Sequence, residues 1–276
     1  MRNSLLFAAV LSTLTLTNFA YADEAAAPEA AAPAAAAEPA PPYTITYNVG
    51  LYSQYIFRGL TQTDTKPAIQ GGVDFTHSSG LYIGTWASNI SWLDDGGNYE
   101  SSSLEWDIYG GYRMNFGESG VGLDIGLLNY VYPGSKTAFG KTNAGFTDPY
   151  TLEAYAALSY KWAQAKISYG ITDIFGAENS DGSYYAELNG NIPVGETGIT
   201  ANLHVGYQHY SGDVLGTSND DLYTYTDWKI GVTKSWSNGI NLGAYYTDTD
   251  AKDAGYTFLG KNIGDDTFTV FVQKTF

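Results

Sequence analysis

The chain has 276 residues, a formal net charge of −16, no cysteine, and 24 tyrosines and 32 glycines beside only two methionines. The negative charge argues against nucleic acid as a partner, and the missing cysteines exclude a disulfide framework. A chain so rich in tyrosine and glycine favours strands over helices.

The first 42 residues predict export followed by a linker. Residues 1–22 combine the basic Arg2, an apolar run and Ala20-Tyr21-Ala22, which is the pattern of a secretory signal peptide cleaved after Ala22. Residues 23–42 consist almost entirely of alanine, proline and glutamate, a composition typical of a disordered tether. The remaining residues, 43–276, are enough for one large domain.

From Thr44 onward, apolar and polar residues alternate with period two, which is the pattern of a strand with one apolar face. Around residue 106, for example, Trp106 and Ile108 share one face, and Glu105 and Asp107 share the other. The pattern predicts twelve strands, at 44–59, 67–77, 81–92, 103–115, 121–132, 151–162, 165–175, 183–193, 199–210, 223–236, 240–248 and 266–276.

The connections between these strands alternate between short and long. Tight turns are predicted at 77–80, 116–120, 163–164, 194–198 and 237–239, and longer loops at 60–66, 93–102, 133–150, 176–182, 211–222 and 249–265. Short turns at one end and longer loops at the other are typical of membrane barrels. The sequence therefore predicts an all-β fold, a transmembrane antiparallel up-and-down β-barrel in the bacterial outer membrane, with both termini in the periplasm.

The apolar faces agree with a bilayer. Trp106, Tyr160 and Trp228 lie near strand ends, where amphipathic rings favour a membrane interface. The last strand resembles the signal by which outer-membrane barrels are recognised for assembly, because its apolar residues share one face: Phe268, Val270, Val272 and Phe276. The expected partners are the barrel assembly machinery, outer-membrane lipid and lipopolysaccharide.

The polar faces carry charged side chains that we expect to line a pore: Arg58, Asp74, Glu105, Asp107, Arg113, Asp124, Glu153, Lys161, Lys166, Glu187, Asp227 and Lys229. With Lys274 on the same face, seven acids stand against six bases. Such a lumen is either a narrow water-filled pore or a salt-bridged closed interior. A wide pore is not expected, because twelve strands lie between filled barrels of about 8 strands and porins of about 16–18.

Residues 47–92 resemble the TorF family of porin-like proteins. The resemblance rests on Ser53-x-Tyr55-x-Phe57-Arg58-Gly59, Gln62-Thr63, Lys66-Pro67-Ala68, Gln70-Gly71-Gly72 and Gly84-Thr85-Trp86-Ala87-Ser88-Asn89. It implies an outer-membrane barrel with a pore, and it implies no substrate.

Arg58 ends the first predicted strand, on the face opposite Tyr55 and Phe57. We expect it to lie opposite Ala68, to point inward near the external mouth, and to meet an acid in the lumen. Two interpretations stay open, since the guanidinium can take part in a pore or can only brace the barrel wall.

The predicted function is a porin-like channel for passive diffusion of small polar solutes or ions. Acids in the external loops favour a weak cation preference: Asp94, Asp95, Glu100, Asp148, Glu178, Asp181, Asp213, Asp220, Asp221, Asp250 and Asp253. The alternative is a non-conducting barrel that binds partners through its external loops, and a homo-oligomer is compatible with either.

No enzyme, cofactor or metal site is expected. His77, His204 and His209 stand in no recognisable Ser/His/Asp context, and no metal-ligand cluster or phosphate loop is present in the sequence. A soluble all-β protein is disfavoured, because the alternating acids and lysines leave too little material for an apolar core.

Overall fold

A computed structural model describes residues 41–276, so the predicted signal peptide (1–22) and nearly all of the predicted tether (23–42) lie outside the described residues. The strands are β1 (Tyr43–Tyr52), β2 (Ile56–Phe57), β3 (Leu60–Thr61), β4 (Ala68–His77), β5 (Leu81–Asn89), β6 (Leu104–Asn115), β7 (Val121–Val131), β8 (Thr151–Tyr160), β9 (Ala163–Gly170), β10 (Tyr184–Pro193), β11 (Ile199–His209), β12 (Asp213–Val214), β13 (Thr217–Ser218), β14 (Tyr225–Ser235), β15 (Ile240–Thr249), β16 (Thr257–Phe258), β17 (Lys261–Asn262) and β18 (Thr267–Thr275). The helices are α1 (Trp92–Asp95), α2 (Asn219–Tyr223) and α3 (Asp253–Tyr256).

Twelve of the strands form one closed antiparallel barrel, in the order β1-β4-β5-β6-β7-β8-β9-β10-β11-β14-β15-β18. The last strand closes the barrel against the first, with Tyr52 opposite Phe271 and Asn48 opposite Thr275. Each barrel strand overlaps one of the twelve predicted runs, so the predicted antiparallel β-barrel and its strand number are confirmed. The periplasmic position of both termini stays a prediction. The other six strands form three small hairpins in the loops.

The barrel wall presents an apolar face outward and a polar face inward. On β6, Leu104, Trp106 and Ile108 are exposed on the outside, whereas Glu105 and Asp107 are buried inside. Two aromatic girdles flank the aliphatic belt: Tyr43, Tyr112, Phe116, Tyr160, Trp162, Trp236 and Phe276 at the short-turn end, and Trp106, Tyr169, Tyr207, Trp228 and Phe268 at the loop end. An apolar belt between two aromatic girdles matches the lipid-facing surface of a membrane barrel.

Inward tyrosines lie over glycines of the neighbouring strands. A Cβ on Gly84 would lie 2.3 Å from Tyr109 Cε2, and one on Gly206 would lie 2.0 Å from the Tyr185 hydroxyl. The glycines therefore make room for the rings, which explains why this barrel needs so much of both residue types. The largest buried apolar cluster, with many of these tyrosines, lies inside the barrel.

The connections alternate as predicted, with short turns at one end and longer loops at the other. The predicted strand at 165–175 ends too late, because β9 stops at Gly170. Two further predicted boundaries are wrong. Residues 53–59 do not extend the first strand, because the chain leaves the wall after Tyr52 and turns inward. The turn after β8 is Lys161-Trp162 and not 163–164, because Ala163 already pairs with Tyr160. Among the described residues, no helix is long and apolar enough to cross a membrane.

Candidate functional site in the barrel lumen

The segment between β1 and β4, residues 53–67, folds into the barrel and is called the lumen hairpin below. Its strands β2 and β3 pair with each other and with no wall strand. Residues 54–56 and 58–63 are buried, although the segment joins two strands at the loop end. The lumen hairpin and the inward tyrosines therefore fill the lumen at this level.

Arg58 and Gly59 form the tip of the lumen hairpin, with positive φ angles of 46° and 81°. These angles belong to the tight turn that suits a two-residue hairpin. The tip reaches the wall at β14 and β15, because a Cβ on Gly59 would lie 2.4 Å from Thr249 Cγ2 and 2.7 Å from Asp227 Cβ. The Tyr225 hydroxyl donates a hydrogen bond to the Arg58 carbonyl oxygen at 2.9 Å.

The base of the lumen hairpin contacts the opposite side of the barrel. The Tyr55 hydroxyl donates to Glu105 on β6 at 2.7 Å, and the Tyr55 ring packs edge-on against Trp86 on β5. The lumen hairpin therefore spans the lumen from β5 and β6 to β14 and β15.

The Arg58 guanidinium makes a buried ion pair with Glu153 of β8. Nη2 donates to both carboxylate oxygens at 2.9 and 2.8 Å, and Nη1 donates to Gln208 at 2.7 Å. The guanidinium also lies over the Phe57, Phe175 and Tyr185 rings, at 4.4 to 5.5 Å from their centroids. Two carboxylate bonds and three rings offset part of the desolvation cost of this cation.

A second polar network surrounds His204 on β11. Its Nε2 lies 2.7 Å from Asp227, and its Nδ1 lies 2.7 Å from the Asn189 side-chain oxygen. The Asn189 amide nitrogen donates to Glu187 at 2.8 Å, which fixes the orientation of the amide. Both imidazole nitrogens therefore lie within hydrogen-bond distance of inward polar side chains, which fixes the position of the ring.

Other inward bases pair within the wall. Arg113 Nε donates to Asp124 at 2.9 Å, near the short-turn end. Lys166 Nζ lies 3.8 Å from Glu187, and Lys229 Nζ lies 5.4 Å from the Tyr245 ring centroid.

Two inward carboxylates differ from the rest in their partners. Asp107 is 1% exposed and neither of its carboxylate oxygens has a hydrogen-bond partner. Asp74 accepts a hydrogen bond from the Tyr109 hydroxyl at 2.8 Å through Oδ1, but its Oδ2 has no partner.

The structure places most of the predicted pore residues on the inner side of the wall or in the lumen hairpin: Arg58, Asp74, Glu105, Asp107, Arg113, Asp124, Glu153, Lys166, Glu187, Asp227 and Lys229. That they line a conducting pore stays a prediction. Lys161 is wrongly assigned, because it lies exposed in the turn after β8.

Lys274 is also wrongly assigned, since it shares the outward parity of Val270 and Val272, and its Nζ donates to the Asn238 carbonyl oxygen. Seven carboxyl side chains and four Lys or Arg side chains remain inside, so the expected balance of seven acids and six bases gives way to an excess of carboxyl side chains. The residues predicted as an assembly signal lie on the outer surface: Phe268, Val270, Val272 and Phe276.

The predicted position of Arg58 is corrected. Ala68 pairs with Tyr52 and not with Arg58, which lies at the hairpin tip away from β1 and β4. The expected contact with an acid is present, and the acid is Glu153. Sequence reasoning missed the lumen hairpin, because Arg58-Gly59 between Ile56-Phe57 and Leu60-Thr61 departs from the usual Asn-Gly or Asp-Gly hairpin signal.

The three histidines have separate surroundings. His77 contacts Ser79 in an exposed turn, and His209 lies 2.9 Å from Asp220 of α2. The hydrogen bond from Thr224, assisted by His209, lowers the pKa of Asp220. In residues 41–276, no three His, Asp or Glu side chains are placed to hold a metal ion. That the protein is not an enzyme stays a prediction.

The sequence matches one family model, described as "Bacterial protein of unknown function (Gcw_chp)", over residues 36–276. The resemblance to the TorF family stays a prediction, since the matching model carries a different description. A search of curated protein sequences found no match.

Several solved structures are similar to this chain. KdgM porin shares 7% identity over 84% of this chain and 98% of that chain, with a TM-score of 0.49. An outer membrane channel from Pseudomonas putida F1 shares 15% identity over 88% and 99%, with a TM-score of 0.47. NanC porin shares 9% identity over 84% and 98%, with a TM-score of 0.46. Similarity at this level carries no argument about solutes.

Proposed function

The chain belongs to this family of bacterial proteins of unknown function, and we propose that it is an outer-membrane porin-like channel whose lumen is closed by the lumen hairpin. The apolar belt and the aromatic girdles support a position in the bilayer. The export signal expected in residues 1–22 supports the outer membrane, with lipid, lipopolysaccharide and the assembly machinery as partners.

The observation that supports the channel proposal is the way in which the lumen hairpin is attached to the barrel wall. Its strands make no hydrogen-bond ladder with the wall, so they can leave the lumen without opening the barrel. Side chains attach it to the wall, chiefly Arg58 to Glu153 and Tyr55 to Glu105. A few backbone hydrogen bonds also join it to β18 and to two external loops, as from Thr61 N–H to the Ile263 carbonyl oxygen. Buried ion pairs contribute little net stability compared with apolar packing, and their use here is consistent with a reversible closure.

The solutes that fit this lumen are small, polar and preferably cationic. Seven inward carboxylates outnumber the four inward Lys and Arg side chains. A lumen of one predominant sign concentrates ions of the opposite sign. The proposed cation preference therefore arises in the lumen, in addition to the acidic loops considered from the sequence.

The test is planar-bilayer conductance of the purified barrel and of a variant without the lumen hairpin. Tyr52 and Ala68 are cross-strand partners, so residues 53–67 can be replaced by a two-residue Asn-Gly turn. The variant is expected to show discrete current steps with a larger amplitude and a longer open time than those of the wild type. A salt gradient is expected to give a cation-leaning reversal potential.

The control variant lacks the exposed hairpin of β12 and β13, residues 213–218, and is expected to conduct like the wild type. The channel proposal fails if the shortened barrel is folded, shown by heat-modifiable migration in a gel, and yet passes no current. The alternative would then be favoured: a non-conducting barrel that binds partners through its external loops.

A further inference from the structure

The inner wall carries an acidic pair near the loop end of β6, and no base among the described residues forms an ion pair with it. Glu105 and Asp107 face inward from β6, two residues apart. Glu105 accepts a hydrogen bond from Tyr55, whereas both Asp107 oxygens are buried without a partner. An isolated buried carboxylate is costly, so this position calls for a proton or a cation.

Aromatic rings flank Asp107 on both neighbouring strands. Trp86 of β5 and Tyr130 of β7 are its cross-strand partners, and both are buried. The Trp86 indole nitrogen has no hydrogen-bond partner either. A carboxylate beside aromatic rings is the chemistry that binds ammonium and guanidinium groups.

The protein already uses this chemistry once, next to the pair. Arg58 holds Glu153 and lies against three rings, and the Tyr130 hydroxyl donates to the same Glu153 at 3.2 Å. Tyr130 thus connects the Arg58–Glu153 pair with Asp107. In the described part of the chain, no ion pair joins a base to Glu105 or Asp107.

Extending the channel function proposed above, we propose that Asp107 and Glu105, with the Trp86 and Tyr130 rings, form a lumen site for a small organic cation. The ligand carries a guanidinium or primary ammonium group, whose N–H groups donate to the free Asp107 oxygens. An inorganic metal ion fits less well, because no three-ligand group is present among residues 41–276. Arg58 occupies the adjoining part of the same acidic region.

Isothermal titration calorimetry of the full chain in detergent tests the site with ethylguanidinium and ethylammonium, and with calcium for comparison. Asp107→Asn keeps the shape of the side chain and removes its charge. We expect it to weaken binding of the organic cations by at least about tenfold. The matched control is Asp74→Asn, at another buried inward carboxylate with one unpartnered oxygen, and we expect it to change binding by less than about twofold.

The barrel without the lumen hairpin is titrated in parallel, so that blocked access cannot hide the site. The proposal is overturned if neither barrel binds an organic cation, if Asp107→Asn binds as well as the wild type, or if calcium alone binds. Calorimetry in detergent micelles measures binding whether or not the barrel conducts ions. A silent barrel that binds therefore removes only the channel function, and a conducting barrel that does not bind removes only the cation site.

Discussion

At the residue scale, Arg58 is the least ordinary choice in the chain. Its φ of 46° lies in the left-handed region, where asparagine or glycine is usual in a two-residue hairpin. The residue is also only 8% exposed, so a cation is buried at a strained position. Two local rules are broken at one residue, which is typical of a functional position.

The strength of the Arg58–Glu153 pair can be measured with a double-mutant cycle. Arg58→Asn suits the turn and removes the guanidinium, and Glu153→Gln keeps the shape of the acid. We expect each single change to destabilise the barrel, because one partner stays buried and unpaired, and the double change to recover part of the loss. The coupling free energy should be at least about 1.5 kcal/mol, measured by urea unfolding of the barrel in lipid vesicles.

The same cycle with Arg113→Gln and Asp124→Asn is the comparison. That pair lies within the wall on neighbouring strands and is more exposed, so its coupling should be smaller. If the Arg58 and Glu153 changes add within about 0.5 kcal/mol, the ion pair does not hold the lumen hairpin.

The alternation of apolar and polar residues placed Glu105, Asp107 and Glu153 inside correctly, because a strand whose apolar face points outward must turn its polar face inward. It failed at Arg58, since Tyr55 and Phe57 continue the alternation after the strand has ended at Tyr52. The partner of a buried charge depends on contacts distant in sequence, and alternation carries no information about them.

At the element scale, the lumen hairpin shares its turn with two external hairpins. Leu215-Gly216 and Leu259-Gly260 have φ angles close to those of Arg58-Gly59. Leu215 and Leu259 are exposed, however, whereas Arg58 is buried. The same turn therefore occurs in buried and in exposed surroundings, so Gly59 and Gly216 can be compared at equivalent positions.

We predict that Gly59→Ala displaces the lumen hairpin and that Gly216→Ala does not move it. Both changes put a Cβ at a positive φ, which costs about 1–2 kcal/mol. A Cβ at position 59 also meets Thr249 and Asp227, whereas one at position 216 meets nothing within 4 Å. The added clash should cost about 1–3 kcal/mol.

The measurement uses a single Thr61→Cys label, since the chain has no other cysteine. Thr61 is buried in the lumen hairpin, so a water-soluble maleimide should label it faster in the Gly59→Ala background only. Equal labelling rates in the two backgrounds would show that the tip of the lumen hairpin is not seated against β14 and β15.

The strand pattern predicted the barrel strands well because each one has an apolar outer face and an inner face that carries most of its polar side chains, which imposes a period of two over its length. The lumen hairpin and the loop helices obey neither constraint. Their placement depends on side-chain contacts, such as Tyr55 with Glu105, that a local pattern does not encode.

At the scale of the whole molecule, the apolar exterior determines the solvent in which the barrel is stable. Leu188 lies midway along β10 and Leu81 begins β5 at the short-turn end, and the two are 59% and 58% exposed. The two leucines therefore lie at different heights along the barrel but are almost equally exposed. A soluble protein would tolerate lysine equally at both positions.

In a bilayer, the two positions should respond differently. Leu188→Lys should cost about 2–4 kcal/mol because the ammonium lies at the level of the acyl chains, and Leu81→Lys should cost about 0–1 kcal/mol because it reaches the headgroups. Urea unfolding in phospholipid vesicles measures both. Equal costs would contradict a membrane-spanning belt, and with it the channel, because a lumen carries solutes across a bilayer only if the belt around it lies in the hydrocarbon.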